Sequence, residues 1–526
     1  AKFGAQFQAT QAAKLLQADG LAPFVGMATQ QMEVTMDMLR DSGMFDAELL
    51  DGLLSSWQGD LVMSVQVDWD GIADAMQYSE MPSFSIVIAL TPDGNFDLSA
   101  VAKEFERMIE NDDSSATNLK DLVIGDVTMR RQDNEGEAPD VVLPFMMEDH
   151  LVVLIGSDLE QKAAKLLAED SRFSKTTDGA SLYADIRLSE AMDLMLGMED
   201  PGGPVDPAAM MDTIGLSALE GFTMTMKPQG KAVISEWSVN LAQEGRGMFN
   251  AFMSGSKQPK LLRSVPANSE NFSVSSMDIA PIYNMIADLW TMAEEMAPIT
   301  FDEAMETFTD ATKVRMKEDL LDHMGKELLS ITNIDGVIDG AQYNDPEDIS
   351  AMFTGVVWGM ELRDGAAFAK SLETVIRSRG MHVGRKKEEY ANATINRMKL
   401  AGLIELEYVI DKDILLVSVG GDEITDKILR DVLDTRASGE ASLPSIVQTH
   451  ASDFPSGWTG FSATQPAAIL EGVVAALQAS GEFGSEIDMV AQITKGIVKD
   501  MDTLGINSLL QASYADEDGM KIIVRW

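Results

Sequence analysis

Short apolar runs in the first half of the chain have the length and alternation of β-strands. They span residues 61–67, 83–90, 122–131, 141–156 and 181–188. Apolar residues at helical spacing predict helices between 24 and 57, over 97–110 with Asp97 as N-cap, and over 159–168. Strand runs follow one another without regular crossover helices, which favours antiparallel sheets with helices on one face.

The second half of the chain repeats this order of patterns. Its strand 328–334 mirrors 61–67, and Gln342-Tyr343 mirrors Gln77-Tyr78. The further correspondences are 353–360 with 83–90, the helix 366–376 with the helix after Asp97, 414–420 with 151–156, and the helix 424–433 with the helix after 156. Several matches in one order indicate an internal duplication.

The clearest repeat is Met211-Asp212-Thr213-Ile214-Gly215-Leu216-Ser217-Ala218-Leu219, which returns as Met501-Asp502-Thr503-Leu504-Gly505-Ile506-Asn507-Ser508-Leu509. Two alternating runs around a turn follow each copy, at 221–226 and 231–239 and again at 511–515 and 520–526. We therefore predict an α+β protein of two tandem copies, 1–262 and 263–526, each a mainly antiparallel sheet covered by helices. The polar connection 254–260 marks the expected boundary.

Two helices carry informative apolar faces. From Ile282 to Met296, an apolar stripe predicts a helix seated on a core; it consists of Ile282, Met285, Ile286, Leu289 and Met296. In the helix expected over 28–40, one apolar face suffices for seating, so Val34 and Met38 point away and form a predicted contact surface for a partner or a lipid.

Composition is ordinary except for charge. The chain has 526 residues, 45% of them hydrophobic, with 85 acidic and 40 basic residues and a net charge of −45. This charge disfavours nucleic acid and anionic membrane surfaces as partners, and it is typical of a solvated acidic surface that can also attract divalent cations. No apolar run reaches the roughly 18 residues that a transmembrane helix needs.

The chain contains no cysteine, which excludes disulfides and thiolate chemistry. It opens at Ala1 without a basic or apolar leader, and we expect an exported protein whose signal peptide has been removed, in the periplasm or at the cell surface.

Two segments resemble a family of exported bacterial proteins that is catalogued only as a domain of unknown function. One is Val265-Pro266-Ala267-Asn268 before a short strand and helix, and the other runs from Glu169-Asp170-Ser171-Arg172-Phe173 into Ser181-Leu182-Tyr183-Ala184-Asp185-Ile186. The likeness covers the segments around each internal strand, and the second copy departs from it with Gly457-Trp458-Thr459-Gly460-Phe461. The resemblance implies an envelope or exported location and carries no catalytic residues.

Motifs for catalysis and cofactor binding are missing from the sequence. Nucleotide-binding glycine motifs, zinc-protease motifs and nucleophile elbows do not occur, and the four histidines, His150, His323, His382 and His450, are far apart. The best metal candidate is a calcium loop formed by Asp93, Asn95, Asp97 and Glu104, but Leu98 replaces the glycine that its sharp turn requires. A plain turn followed by a helix cap is the alternative, and we expect no cofactor.

One basic segment stands out in this acidic chain. Its members are Arg377, Arg379, His382, Arg385, Lys386 and Lys387. This segment is either a docking site for an acidic surface or a solvated helix end. The 35 methionines favour ordinary core packing, with an adaptable interface or an apolar cavity as the alternatives.

Three functional classes follow from these observations. The leading hypothesis is a non-catalytic structural or interaction protein of the bacterial cell envelope that acts by association with a protein partner or with itself. The second is a carrier of lipid or another apolar ligand. The third is a hydrolase that uses Asp and Glu, which two converging carboxylates in one pocket would support.

Overall fold

The structure is a computed structural model and the chain forms two compact units. It describes residues 9–16, 18, 60–67, 84–91, 100, 103, 107, 119–124, 127–132, 140–147, 150–156, 159, 182–187, 206–294, 297–333, 354–400, 404–419, 421–439, 442–480 and 486–526. The first unit comprises residues 1–17, 21–194 and 221–235, and the second comprises 18–20, 195–220 and 236–526. These units are defined by compactness, whereas the predicted boundary at 262 and 263 separates two homologous copies and stays a prediction.

The described strands include all those expected from alternation. They are β1 (Asp60–Val67), β2 (Phe84–Thr91), β3 (Leu119–Ile124), β4 (Val127–Gln132), β5 (Asp140–Met147), β6 (His150–Gly156), β7 (Leu182–Arg187), β8 (Leu219–Gln229), β9 (Ala232–Leu241), β10 (Phe272–Ser276), β11 (Met324–Thr332), β12 (Val356–Leu362), β13 (Lys386–Tyr390), β14 (Ala393–Leu400), β15 (Ile404–Asp411), β16 (Ile414–Val419), β17 (Gly460–Thr464), β18 (Leu509–Asp516) and β19 (Gly519–Arg525).

The described helices lie mostly in the second unit. They are α1 (Gln11–Leu16), α2 (Pro207–Ile214), α3 (Asn250–Met253), α4 (Ile279–Met292), α5 (Phe301–Thr312), α6 (Gly365–Ser378), α7 (Glu423–Ala437), α8 (Ser445–His450), α9 (Pro466–Ser480) and α10 (Glu486–Leu504). The predicted helices 366–376 and 424–433 are confirmed as α6 and α7. Asp364 and Asp422 cap them by accepting the backbone N–H groups of Ala367 and Thr425.

The first unit contains a six-stranded antiparallel sheet in the order β1-β2-β6-β5-β4-β3. Leu61 pairs with Leu90, Ile88 with Val153, and Met147 with His150. In the same unit β7 pairs antiparallel with β8. The predicted antiparallel arrangement is therefore confirmed here.

The second unit is built on a larger antiparallel sheet in the order β13-β14-β15-β16-β12-β11-β10-β17-β18-β19, followed by the end of β9. Leu328 pairs with Met360, Trp358 with Val417, and Asp411 with Ile414. The segment 457–461, where the sequence departs from the family resemblance, runs into the strand β17 (Gly460–Thr464).

Helices cover both faces of this larger sheet, so the expectation of helices on one face is wrong for the second unit. Helix α7 packs on β12 and β16 through its buried Leu429 and Val432. On the other face, Ile376 of α6 packs with Met398 and Tyr408. Strands β14 to β16 alternate between two apolar sets, and burying both sets requires a helix on each side.

The repeated signature has the same local structure in both places. In each copy a helix ends, a glycine adopts positive φ, and a strand begins, at Leu219 in one copy and at Leu509 in the other. Gly215 has φ +100° and Gly505 has φ +70°. At Gly215 a Cβ atom would lie 2.3 Å from the carbonyl oxygen of Arg246, so only glycine fits this helix end.

Candidate functional site

Helix α4 is the most unusual surface element in the described part of the second unit. Asp278 caps its first turn by accepting a hydrogen bond from Ala280 N at 3.1 Å. At 100° per residue, Ile282, Ile286 and Leu289 share one apolar face. None of the residues of α4 is buried, and Ile286 is 45% exposed. The predicted contact with a core is therefore partial: Ile282, Met285 and Leu289 are half-buried and Ile286 is exposed.

Aromatic contacts on one flank hold α4 in place. The Phe301 ring at the start of α5 meets the rings of Tyr283 and Trp290 edge-on, with centroid distances of 5.7 and 6.1 Å. Trp290 Nε1 also donates a hydrogen bond to the carbonyl oxygen of Ile299 at 3.1 Å. Helix α4 also packs against α2, α3 and the turn 247–249. Ile282 and Leu289 are half-buried, and Ile286 is the exposed member of the apolar face.

An apolar depression of about 420 Å³ opens beside this face, and we call it the α4 notch. Its described lining is Ile286, Leu289, Trp290, Ala293, Ala297 and Pro298. Other large exposed apolar side chains lie on neighbouring segments, including Ile299 before α5, Met210 on α2 and Phe252 on α3. Apolar surface of this kind is typical of an interaction site.

Acidic residues surround α4 in the sequence. From residue 264 to 312 there are nine acidic residues and neither lysine nor arginine. Asp288, Glu294, Asp302, Glu303 and Glu306 are exposed.

The pKa of the Tyr283 hydroxyl on α4 records this charge. Burial raises it, and the carboxylates of Glu318 and Asp302 raise it further. Lys317 acts in the opposite direction, but its ammonium pairs with Asp322 at 3.0 Å. The apolar notch therefore lies in a negative region.

The predicted basic segment does not form one patch. Arg385 is 8% exposed and donates to Glu373 at 2.5 Å and to Tyr408 Oη at 3.0 Å. Arg377 pairs with the same Glu373 at 2.8 Å. Arg379, His382, Lys386 and Lys387 remain exposed.

The two lysines of this segment have another structural explanation. Lys386 and Lys387 lie on β13, the terminal strand of the sheet. Charged side chains on such an edge strand discourage pairing with another chain. The position of the two lysines is therefore consistent with protection of the sheet edge, and equally with docking of an acidic partner.

A partly buried ionic network was missed by the sequence analysis. Arg397 on β14 contacts Glu388, Glu407 and Asp426, and Arg430 on α7 pairs with Asp426 at 2.6 Å and Glu388 at 2.7 Å. Glu407 is 1% exposed and also accepts a hydrogen bond from Ser418 Oγ at 3.1 Å. The sequence does contain a signal for this network, because charged residues interrupt the apolar positions of strands β14 and β15.

The pKa values within this network favour the ionised forms. Burial alone would lower the pKa of Arg397, but its hydrogen bonds with Glu407 and Glu388 raise it overall. The pKa of Glu388 is lowered by hydrogen bonds from Arg397 and Arg430. The network is thus held charged, which suits a structural role better than proton transfer.

A polar cavity of about 600 Å³ lies between the loop before β10 and helix α7. Glu270, Asp431 and Asp434 line it together with Lys427. Glu270 accepts a hydrogen bond from the Gln465 side chain, and Asp434 accepts one from Tyr390 Oη at 2.8 Å. Within the described ranges no group of three or more candidate ligands could hold a metal ion.

An apolar groove of about 400 Å³ crosses the larger sheet of the second unit, and we call it the sheet groove. It is lined by residues of β10, β11, β12 and β16: Ser273, Ser275, Leu328, Leu329, Ser330, Trp358, Gly359, Met360, Leu415 and Val417. Concave apolar surfaces with a few polar groups are typical of sites for apolar ligands.

The remaining predicted residues are of two kinds. Val34, Met38, Asp93, Asn95, Asp97 and Glu104 lie outside the described residues. His450 Nδ1 lies 2.9 Å from Asp453 Oδ2, and the same carboxylate pairs with Arg525 at 3.2 Å.

No family model, curated protein or solved structure matches this chain. Among the described residues there is no helix both long and apolar enough to cross a membrane.

Proposed function

We propose that the protein is a non-catalytic interaction protein of the bacterial cell envelope and that it acts by association with a protein partner. The observation that carries this proposal is the exposed apolar side chain of Ile286 on α4, which is 45% exposed beside the α4 notch. An exposed apolar surface favours a partner that covers it, because burial removes apolar area from water. The family resemblance supports the export and envelope location in this proposal.

The distribution of charged groups also supports a binding role. Arg385, Arg397 and Arg430 pair with carboxylates inside the second unit. Such pairs fix the positions of strands and helices and leave their members little freedom to act as acids or bases. The polar cavity contains carboxylates, but Glu270 and Asp434 already accept hydrogen bonds from neighbouring side chains.

We further propose that the chain is a tandem duplication. The order β1-β2-β6-β5-β4-β3 has the same connections as β11-β12-β16-β15-β14-β13. The registers agree as well: the pair Leu61 and Leu90 corresponds to Leu328 and Met360, and the pair Met147 and His150 corresponds to Asp411 and Ile414. Leu21-Ala22-Pro23 also resembles Ile279-Ala280-Pro281 at the start of α4, so the first copy would hold a counterpart of this helix.

Binding of an apolar ligand is the second candidate function. The sheet groove supports it, because Trp358, Met360 and Leu328 line a concavity large enough for an alkyl chain or a small ring system. A carrier of this kind would hold its ligand against the sheet and would need no partner at α4.

Site-specific photo-crosslinking tests the association proposal. A photoreactive phenylalanine replaces Ile286 in the full chain expressed in its source cells, and the matched control replaces Val473, which is 53% exposed on α9. We expect a protein adduct from position 286 that is lost when Leu289→Asp is added, with none from position 473. Identical adducts at both positions, lipid adducts only, or no adduct at position 286 would contradict the proposal.

A further inference from the structure

We infer that the partner of the α4 notch is a cationic amphipathic helix of another protein. This inference rests on the proposed function and names the partner's chemistry. An apolar groove of this kind accepts the apolar face of a helix, with anchor residues spaced at i, i+3, i+4 and i+7.

Charge complementarity selects a basic helix. The exposed carboxylates of Glu294, Asp302 and Glu306 lie just after α4 or on α5, which contacts it. A helix that places lysine or arginine beside its apolar face can pair with these carboxylates while its apolar residues enter the notch. An acidic or neutral helix would gain no such attraction.

The side chains at the site suit a partner that inserts several large residues. Ile286 and Leu289 offer flexible aliphatic surface, and Trp290 forms a wall that Phe301 and Ile299 hold in place. Met285 and Met292 lie on the adjacent flank of the helix, where Met292 Sδ accepts from Thr213 Oγ1 at 3.5 Å. Thioether side chains adapt to different apolar partners.

Other occupants fit less well. A second copy of this chain would bring another net charge of −45 to a region that is already negative. Anionic lipid surfaces are repelled for the same reason. The exposed lysines Lys386 and Lys387 belong to a strand and not to an amphipathic helix.

The test titrates the full chain into a labelled Leu/Lys peptide of about 18 residues, about five helical turns, whose leucines form one face. Fluorescence anisotropy gives the dissociation constant. A peptide of the same composition but scrambled order controls for attraction to any acidic protein, and a Leu/Glu peptide controls for apolar attraction alone. We expect the amphipathic Leu/Lys peptide to bind at least about tenfold more tightly than either control.

Paired variants locate the binding. Ile286→Asp/Leu289→Asp should weaken binding of the amphipathic peptide by about tenfold or more. The matched control Ile469→Asp/Val473→Asp alters side chains of α9 that are 44% and 53% exposed, and it should change binding less than about twofold. Thermal unfolding of each variant checks that the chain is folded. If the Asp pair at α4 disturbs folding, Ile286→Ser alone serves as the milder variant.

A third variant tests the charges. Glu294→Gln/Asp302→Asn/Glu306→Gln keeps the notch and removes three negative charges, so it should weaken the Leu/Lys peptide severalfold and flatten the salt dependence of binding.

Three results would overturn the inference. The scrambled peptide could bind as tightly as the amphipathic one, or the α4 and α9 variants could lose binding equally. The variant Glu294→Gln/Asp302→Asn/Glu306→Gln could also bind the Leu/Lys peptide as tightly as the wild type does. Binding to zwitterionic phosphatidylcholine vesicles that Ile286→Asp/Leu289→Asp abolishes would overturn it in favour of a lipid surface. A crosslinked protein adduct from position 286 together with failure of the Leu/Lys peptide would reject the basic helix and leave protein association standing. Absence of that adduct would reject the proposed function itself.

Discussion

Replacing Arg397 with methionine should destabilise the second unit more than replacing any exposed arginine. Methionine keeps much of the volume of the side chain and removes the charge. The guanidinium of Arg397 contacts Glu407, Glu388 and Asp426, and these three carboxylates differ in what they retain after the change. Glu388 and Asp426 keep Arg430, whereas Glu407 keeps only the hydroxyl of Ser418 among its described partners.

The expected magnitude follows from the burial of Glu407. This carboxylate is 1% exposed, and breaking a buried ion pair by removing one partner costs about 3–5 kcal/mol. Because Arg397 itself is 21% exposed and water can reach part of the site, we expect the lower end, about 3 kcal/mol. At about 2 °C per kcal/mol for a large unit, the melting temperature should fall by about 6 °C.

A second substitution separates loss of the pair from loss of packing. In Arg397→Met/Glu407→Met no charge is left buried, and apolar replacement of a buried pair is often neutral. The double variant should therefore recover most of the loss. Arg377→Met is the control, because that side chain is 70% exposed and such pairs contribute about 0–1 kcal/mol.

Differential scanning calorimetry with hydrogen exchange over β14 to β16 measures these changes and assigns them to the second unit. If Arg397→Met unfolds within about 1 kcal/mol of the wild type, Glu407 has no structural need of its partner. A double variant less stable than Arg397→Met would also refute the reasoning. Either result would mean that Arg397 and Glu407 are not needed for stability, and a functional role would then be the better explanation of the pair.

Two further predictions concern pH and the sheet groove. The hydrogen bonds from Arg385 lower the pKa of Glu373 from 4.5 to about 2. This pair therefore stabilises the fold fully above about pH 4.5, and its contribution is lost as the pH falls toward 2. The difference in melting temperature between the wild type and Glu373→Gln should shrink over that interval, and a constant difference would contradict the assignment. If the sheet groove holds an apolar ligand, a fluorescent fatty acid should bind to the full chain, and Met360→Glu should abolish that binding. The control Ile469→Glu on α9 should leave it unchanged. Unchanged binding in Met360→Glu would exclude the groove as the ligand site.

Alternation predicted the strands well because each strand of the second unit has a distinct buried set. In β11, Gly325, Glu327, Leu329 and Ile331 are buried and the residues between them are partly exposed. This period of two is a local property of the sequence and survives any arrangement of the surrounding helices. The order of strands within a sheet depends on pairing between distant segments, and only the repetition of patterns carried information about it.

The apolar stripe on α4 shows where sequence reasoning fails. Periodicity predicted that Ile282, Ile286 and Leu289 share a face, but it contains no information about what covers that face. Contacts of Phe301 with Tyr283 and Trp290 hold the helix by its flank, and such ring contacts between helices have no sequence signal. One member of the stripe, Ile286, is therefore exposed here, whereas Ile282 and Leu289 are half-buried.

The basic segment shows a related limit, because Arg385 is engaged inside the fold while its other members are exposed. Docking through the exposed members stays a prediction. A cluster of positive charges in sequence indicates a patch only if the side chains stay free, and Arg385 reaches back by 12 residues to Glu373 and forward by 23 to Tyr408. Such contacts depend on how α6 lies against β15, which local sequence does not determine. Lys386 and Lys387 remain exposed because their strand ends the sheet.

Structural ion pairs and the potential at α4 are consequences of the same scarcity of basic residues. The chain has 40 lysines and arginines against 85 acidic residues, and in the second unit Arg385, Arg397, Arg430 and Arg436 each pair with carboxylates. A cation that pairs inside the fold cannot neutralise the outer surface at the same time. The carboxylates near α4 consequently keep their field, and under the proposed function this field would favour a basic partner over an acidic one before contact is made.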